Sequence, residues 1–205
     1  MKTICNEVRQ PIARLLLAHG AGANKDSAFM EEIAQQLALC DVSVIRFDFP
    51  YMLKAAETGK KRPPDRVPAL IEDFSQMIDS YEKDLPLFIG GKSMGGRIAT
   101  LIPESGKVRG VICYGYPFHP PGKPEKHRTE HLYELTTPTL IVQGERDTFG
   151  TRERVDAYQL PSIITIEYLT AADHSFKPLK SSGLNQLQHI KHAARLTQEF
   201  IKGNL

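Results

Sequence analysis

Leu87-Phe-Ile-Gly-Gly-Lys-Ser-Met-Gly-Gly-Arg97 decides how the rest of the chain is read. Leu87, Phe88 and Ile89 are apolar and β-prone, so they predict a strand. Gly91-Lys92-Ser93-Met94-Gly95 fits G-x-S-x-G, and Arg97, Ile98, Ala99, Leu101 and Ile102 suit a helix packed on a sheet. Strand, tight turn and helix are the context this motif needs. The turn must be sharp for the Ser93 hydroxyl to point away from the sheet, and only small neighbours avoid a clash there. Gly91, Gly95 and Gly96 provide them. The helix then aims its first N–H groups, and its positive end, beside Ser93. By chance the motif occurs in roughly one chain of this size in ten or twenty. Its competing reading is a glycine-rich turn whose serine caps a helix, so the remaining chain has to discriminate.

Upstream, Arg14 to Ala18 is continuously apolar after its first residue, which suits a strand buried on both faces, and it runs into His19-Gly20-Ala21-Gly22. Residues 1–13 are weakly patterned and leave room for one short edge strand. Asn24 to Leu39 has helical spacing, with Asp26 or Ser27 as N-cap, and Val42 to Phe47 reads as the next strand. Pro50 to Pro68 reads as a long loop rich in Pro, Lys and Arg, followed by a helix over Val67 to Glu82. Downstream, strands are expected at Val108–Tyr114, Thr139–Gly144 and Ile163–Leu169. A long segment runs from Gly115 to Pro138, a short helix is expected at Arg152–Tyr158, and a closing helix at Asn185–Ile201. Strands alternating with helices predict a parallel α/β sheet of about six strands with helices on both faces. Working residues of such sheets lie at the carboxyl ends of the strands. The segments holding His19, Ser93, Asp147 and His174 each follow a strand, so all four are expected at one edge.

A serine hydroxyl needs a base to take its proton, and the base needs an acid to fix its tautomer. His174, just after the last expected strand, is the best candidate base, and Asp147, just after the strand before, the best candidate acid. Their order along the chain, Ser93, Asp147, His174, is that of α/β-hydrolases. The chain resembles that superfamily, and within it the small members of the dienelactone-hydrolase type, over nearly its whole length from Leu15 to Phe200. The motifs that carry the resemblance are His19-Gly20-Ala21-Gly22, Arg46-Phe47-Asp48-Phe49-Pro50, Gly91-Lys-Ser-Met-Gly-Gly96, Gly144-Glu-Arg-Asp-Thr-Phe-Gly150 and Ala172-Asp-His-Ser-Phe176. The resemblance implies a minimal α/β-hydrolase fold and an acyl-enzyme on Ser93. It also implies that backbone N–H groups of Met94 and Ala21, with Gly22 as the alternative to Ala21, hold the oxyanion. It implies neither a cofactor nor a metal.

Other residues compete for these roles. His19 reads as a structural histidine. His119, His127 and His131 are expected to be exposed in a polar loop, and His189 and His192 on the surface of the last helix. Glu145 is the alternative acid, and Asp173 is expected to face away. Lys92 and Arg97 are expected at the solvent or on a helix surface, with contact to an anionic substrate as the alternative. Cys113 reads as an inert core thiol.

At 205 residues the chain is expected to form one domain, residues 1–205. A net charge of +2 is too small to argue for nucleic acid. Three scattered cysteines argue for a reducing compartment rather than a disulfide framework. The first residues lack the apolar run of a signal peptide, and no run approaches a membrane span, so a cytoplasmic location is expected. The expected function is hydrolysis of a small ester, thioester or related acyl substrate. The pocket is expected to be open, with walls from the loops Pro50–Arg66 and Gly115–Thr137. A scaffold that retains the fold, or a cofactor-free haloperoxidase or perhydrolase using the same triad, are the alternatives. Neither the substrate nor the oligomeric state follows from the sequence.

Overall fold

The computed structural model describes residues 2–81, 84–102, 104 and 106–205. Among these residues seven strands form one sheet: β1 (Thr3–Asn6), β2 (Ala13–Ala18), β3 (Val42–Phe47), β4 (Leu87–Lys92), β5 (Val108–Tyr114), β6 (Thr139–Gly144) and β7 (Ile164–Leu169). Their spatial order is β1-β3-β2-β4-β5-β6-β7. Strands β2 to β7 are parallel to their neighbours, and β1 is an antiparallel edge, with Thr3 opposite Phe47 and Asn6 opposite Val44. The six expected core strands are therefore present, and the weakly patterned start of the chain supplies the seventh.

Among the described residues six α-helices accompany the sheet: α1 (Ala28–Ala38), α2 (Pro50–Thr58), α3 (Val67–Asp79), α4 (Met94–Ala99), α5 (Arg152–Asp156) and α6 (Gln186–Lys202). The two-residue alternation of β2 sends Leu15 and Leu17 to one face and Leu16 and Ala18 to the other. On the first face they meet Met30, Ile33 and Leu37 of α1 and Ile190, Ala193 and Ala194 of α6. On the second they meet Leu70, Phe74 and Met77 of α3 and Ile98 and Ala99 of α4. Leu15, Leu16 and Leu17 are all fully buried. Each contributes about 1.5–3 kcal/mol of transfer free energy, which is why the run reads as continuously apolar. Helix α6 starts in a capping box: the Asn185 side chain accepts from Gln188 N–H at 3.0 Å, and Gln188 Oε1 accepts from Asn185 N–H at 2.8 Å.

One expectation fails. Pro50 to Thr58 is helix α2, not loop. Pro50 occupies its first turn, where its missing N–H costs nothing, and Gly59 ends it at φ 65°, the left-handed conformation that glycine adopts freely. The expected end of the next helix at Glu82 lies outside the described residues, and its last described turn ends at Asp79.

The chain leaves β2 toward β3 on one side and returns past it to β4 on the other. The C-terminal ends of β2 and β4 therefore flank the switch in winding direction, where α/β sheets open a crevice. His19 follows one of these strands and Ser93 the other. Among the described residues no helix is long and apolar enough to cross a membrane.

Candidate active site

Ser93 is the N-cap of α4 and has φ 51° and ψ −112°, a conformation costly for any residue with a Cβ. Packing enforces it. A Cβ on Gly91 would stand 2.5 Å from Ala18 O, and one on Gly95 would stand 2.6 Å from both Ala18 O and His19 O. Backbone oxygens cannot yield by that much, so only glycine lets the start of α4 press on the end of β2. The same contact sets the 19–22 loop beside the serine: the Cβ position of Gly20 is 3.7 Å from Ser93 Cβ. Ser93 N–H donates to Tyr114 O at 3.0 Å and fixes the turn against β5.

The structure brings the three expected residues into contact. Ser93 Oγ lies 2.9 Å from His174 Nε2, and His174 Nδ1 lies 2.7 Å from Asp147 Oδ2. The Asp147 side chain is fully buried, and that of His174 is 21% exposed. Asp147 Oδ1 accepts Phe149 N–H at 2.8 Å, and Oδ2 also accepts from Gln143 Nε2 at 3.0 Å. Burial holds the His174 pKa below its ordinary 6.5. The hydrogen bond to Asp147 opposes this, and the nearby Lys92 ammonium adds to it. Phe149 packs on the imidazole with ring centroids 4.3 Å apart.

Gln143 escaped the sequence reading. It sits fully buried near the end of β6. Its Oε1 accepts Tyr116 N–H at 2.8 Å, and its Nε2 also lies 3.3 Å from Tyr116 O and 3.1 Å from Gly150 O. One amide thus ties the acid to the loops after β5 and β6. Its only sequence signal is a long polar residue in a strand of otherwise apolar and small residues.

The 19–22 loop is pinned by a second network. His19 is fully buried, with Nδ1 2.6 Å from Gly20 O, and Nε2 accepts Phe49 N–H at 3.2 Å. Those two bonds require the neutral tautomer protonated on Nδ1, and burial lowers the His19 pKa accordingly. Asp48 accepts Lys25 N–H at 2.8 Å and pairs with Lys25 Nζ at 3.2 Å. The Tyr51 hydroxyl donates to Ala21 O at 3.3 Å. His19 therefore has the structural place expected of it, and Tyr51 is a support that the sequence reading missed. Ala21 and Gly22 border a groove of about 400 Å³ whose other walls include Met52, Ala55 and Ala56 of α2 and the basic run Lys60-Lys61-Arg62.

The competing residues divide. Glu145 lies apart from the histidine, with Oε2 accepting Ala171 N–H at 2.8 Å and Oε1 paired with Arg152. Asp173 Oδ1 is occupied by the N–H groups of Ser175 and Lys177. His127 and His192 are exposed as expected, but His119 and His189 are buried. His119 Nδ1 is 2.9 Å from Pro120 O, and His189 Nδ1 is 3.0 Å from Phe176 O, so both turn inward to close loops. His131 is half-buried, and burial next to Arg97 brings its pKa down to about 4. Lys92 also departs from expectation: its Nζ is buried with no hydrogen-bond partner among the described residues, and so is Arg97 Nε. Cys113 is fully buried, and burial pushes its thiol pKa up. Among the described residues no group of three or more His, Cys, Asp or Glu is arranged to hold a metal ion.

Comparison with known proteins places the fold. Human monoglyceride lipase is 34% identical over 94 residues, a match covering 44% of this chain and 30% of that enzyme. Dienelactone hydrolase from Anabaena variabilis superposes with a TM-score of 0.71 at 19% identity, covering 99% of this chain and 91% of that one. An alpha-beta serine hydrolase homologue from Coxiella burnetii gives 0.68 at 17% identity, covering 99% and 90%. At such identities the two structures speak for the fold. The family model described as alpha/beta hydrolase domain matches residues 11–202, and the chain belongs to that family.

Proposed function

We propose that the protein is a serine hydrolase that cleaves an ester, thioester or related acyl bond of a small substrate through an acyl-enzyme on Ser93. The observation that carries this is the unbroken relay from Ser93 Oγ through His174 to Asp147, at 2.9 and 2.7 Å. Ser93 Oγ attacks the carbonyl carbon while His174 Nε2 takes its proton. His174 returns that proton to the leaving group, and water then repeats the sequence to release the acid. Asp147 holds the tautomer with Nδ1 protonated and stabilises the imidazolium that forms. The N–H groups of Met94 and Ala21, with Gly22 as alternative to Ala21, hold the oxyanion. Losing one such donor costs about 3 kcal/mol of transition-state stabilisation.

The groove bordered by Ala21 and Gly22 is the acyl or leaving-group site in this reading. Its apolar wall is short, and each buried methylene adds only about 0.8 kcal/mol. Activated short-chain esters should therefore turn over, with efficiency falling from short to long acyl chains. A fluorophosphonate should modify Ser93, and Ser93→Ala should lose both labelling and turnover while keeping the fold. Absence of labelling in folded protein, or no turnover of p-nitrophenyl acetate or butyrate above the Ser93→Ala variant, overturns the proposal in favour of a scaffold.

A further inference from the structure

The ammonium of the residue before Ser93 has no hydrogen-bond partner among the described residues. Lys92 ends β4, and its Nζ reaches the space above Gly115 that His174 also borders. The ammonium is 5.5 Å from the ring centroid of Phe29 and 5.9 Å from that of Phe176, so two aromatic faces hold it. Its Nζ is buried with no acceptor among the described residues. Burying a charge with no acceptor is costly, and an apolar residue would fill the same space without that cost. The chain accepts the charge at a particular place. Lys92 Nζ is 2.8 Å, and His174 Nδ1 is 3.2 Å, from the position a Cβ on Gly115 would take, so the two nitrogens are no more than about 6 Å apart. Gly115, at φ 69°, leaves open the space in which they approach. The histidine nitrogen concerned is the one that faces Asp147.

We propose that Lys92 is a positioning residue of the catalytic relay, whose buried ammonium beside His174 Nδ1 keeps the imidazole neutral until the serine proton is transferred. The inference rests on the triad reading above. The charged groups that act on His174 are Asp147, Lys92 and Asp173, and those that act on Lys92 are Asp147 and Asp173. Both carboxylates favour the imidazolium, whereas Lys92 is the cation that opposes it. Burial is the largest influence holding the His174 pKa down, and without Lys92 the histidine beside a buried carboxylate would hold its proton to higher pH. Burial brings the Lys92 pKa down to about 8, so the ammonium is charged throughout the range in which His174 titrates.

The test is NMR titration of the full chain labelled with ¹³C at histidine and at lysine Cε, with the pH profile of ester hydrolysis measured in parallel. In Lys92→Met the His174 midpoint and the acidic limb of kcat/KM should both move up by about one pH unit, and Lys92→Arg, which keeps the charge, should restore them. A folded Lys92→Met protein with the His174 midpoint unmoved overturns the proposal, even if kcat falls, because loss of packing alone would do that. If the methionine variant does not fold, wild type decides. Coupled groups report each other, so the Lys92 Cε resonance must shift as His174 titrates and the His174 ring resonance must shift again near pH 8. Absence of both cross-shifts overturns it. The histidine titration needs no turnover. Wild type without esterase activity would therefore refute the hydrolase reading and still leave the Lys92 result readable.

Discussion

Replacing Gln143 with Leu tests whether the acid is held by its neighbours or merely sits near them. The substitution keeps the bulk and removes every polar atom. Tyr116 N–H then loses its acceptor at 2.8 Å, and Asp147 Oδ2 loses a donor at 3.0 Å. Gly150 O and Tyr116 O lose weaker contacts at 3.1 and 3.3 Å. All of this lies at a site with no solvent exposure, so water cannot replace the lost partners without opening the core. A buried unsatisfied N–H costs about 1–3 kcal/mol, and a lost bond to a charged acceptor costs somewhat more than a neutral one. Leucine returns part of this by burying apolar surface. A net loss of about 2–4 kcal/mol follows, or a fall in Tm on the order of 6–12 °C for a chain of this size. The activity effect has a separate origin. Asp147 keeps Phe149 N–H as a donor at 2.8 Å, so the carboxylate stays in place but can rotate away from His174. The expected loss in kcat/KM is about ten- to a hundredfold at a temperature where the variant is fully folded. Thermal melts by circular dichroism and hydrolysis of p-nitrophenyl acetate measure the two effects independently. A variant within about 1 kcal/mol of wild type and equally active would refute the argument that this amide organises the site.

The remaining expectations concern charge. The pH profile of kcat/KM should fall on the acid side through one group with a midpoint below 6.5, because burial and Lys92 outweigh Asp147 at His174. A carboxylate partner acting alone would raise the midpoint above the ordinary 6.5, so a midpoint of 7 or above would contradict the structural reasoning. Asp147→Asn should lower kcat/KM by up to about four orders of magnitude, while Glu145→Gln should leave it nearly unchanged; the reverse result would reassign the acid. Lys92→Met should raise Tm at pH 7. The sign follows from the depressed pKa: below about 8 the folded protein bears the full cost of a buried ammonium, and above the ordinary 10.5 the lysine is neutral whether folded or not. Wild type should therefore gain on the variant as pH rises through that window, and a constant difference in melting curves between pH 7 and 10 would refute the assignment of the cost to charge.

Features that could be read from sequence are those set by local pattern. Continuous apolarity at Leu15–Leu17 and glycine spacing around Ser93 reflect constraints between near neighbours, and the structure shows the strands and the turn there. Asp147 and His174 could be placed because each follows a strand, and a parallel sheet puts such residues at one edge. The misreadings fall where a distant contact decides. Pro50–Thr58 carried its own signals, proline at the start and glycine after the end, but Tyr51 is its only fully buried residue, so little apolar periodicity supported them. His119 and His189 looked exposed in a loop and on a helix. Phe149 O, from the loop after β6, accepts His119 N–H at 3.1 Å, and Phe176 O, from the loop after β7, lies 3.0 Å from His189 Nδ1.

Gln143 and Lys92 belong to a further class, in which residue type conflicts with position. A glutamine in a buried strand and a lysine at a buried strand end each carry a local cost. Consistency between local preference and global fold is the rule for most of the chain, and departures from it concentrate where function constrains the sequence. Both residues act on the same pair of groups from different sides. Gln143 fixes the carboxylate through a donor on β6, and Lys92 sets the charge balance from the end of β4. Ser93 stands between them on its strained turn, held by Gly91 and Gly95 against the end of β2. The costs gather around one bond, His174 Nδ1 to Asp147 Oδ2. Tyr114, whose carbonyl accepts the Ser93 N–H, satisfies its own buried hydroxyl with Thr197 at 2.8 Å, whereas Arg97 Nε, His119 Nε2 and His189 Nε2 are buried without a hydrogen-bond partner among the described residues, as Lys92 Nζ is. What sets Lys92 apart from these is its place: its ammonium and His174 Nδ1 approach the same point above Gly115, at 2.8 and 3.2 Å, so its charge acts on the relay itself.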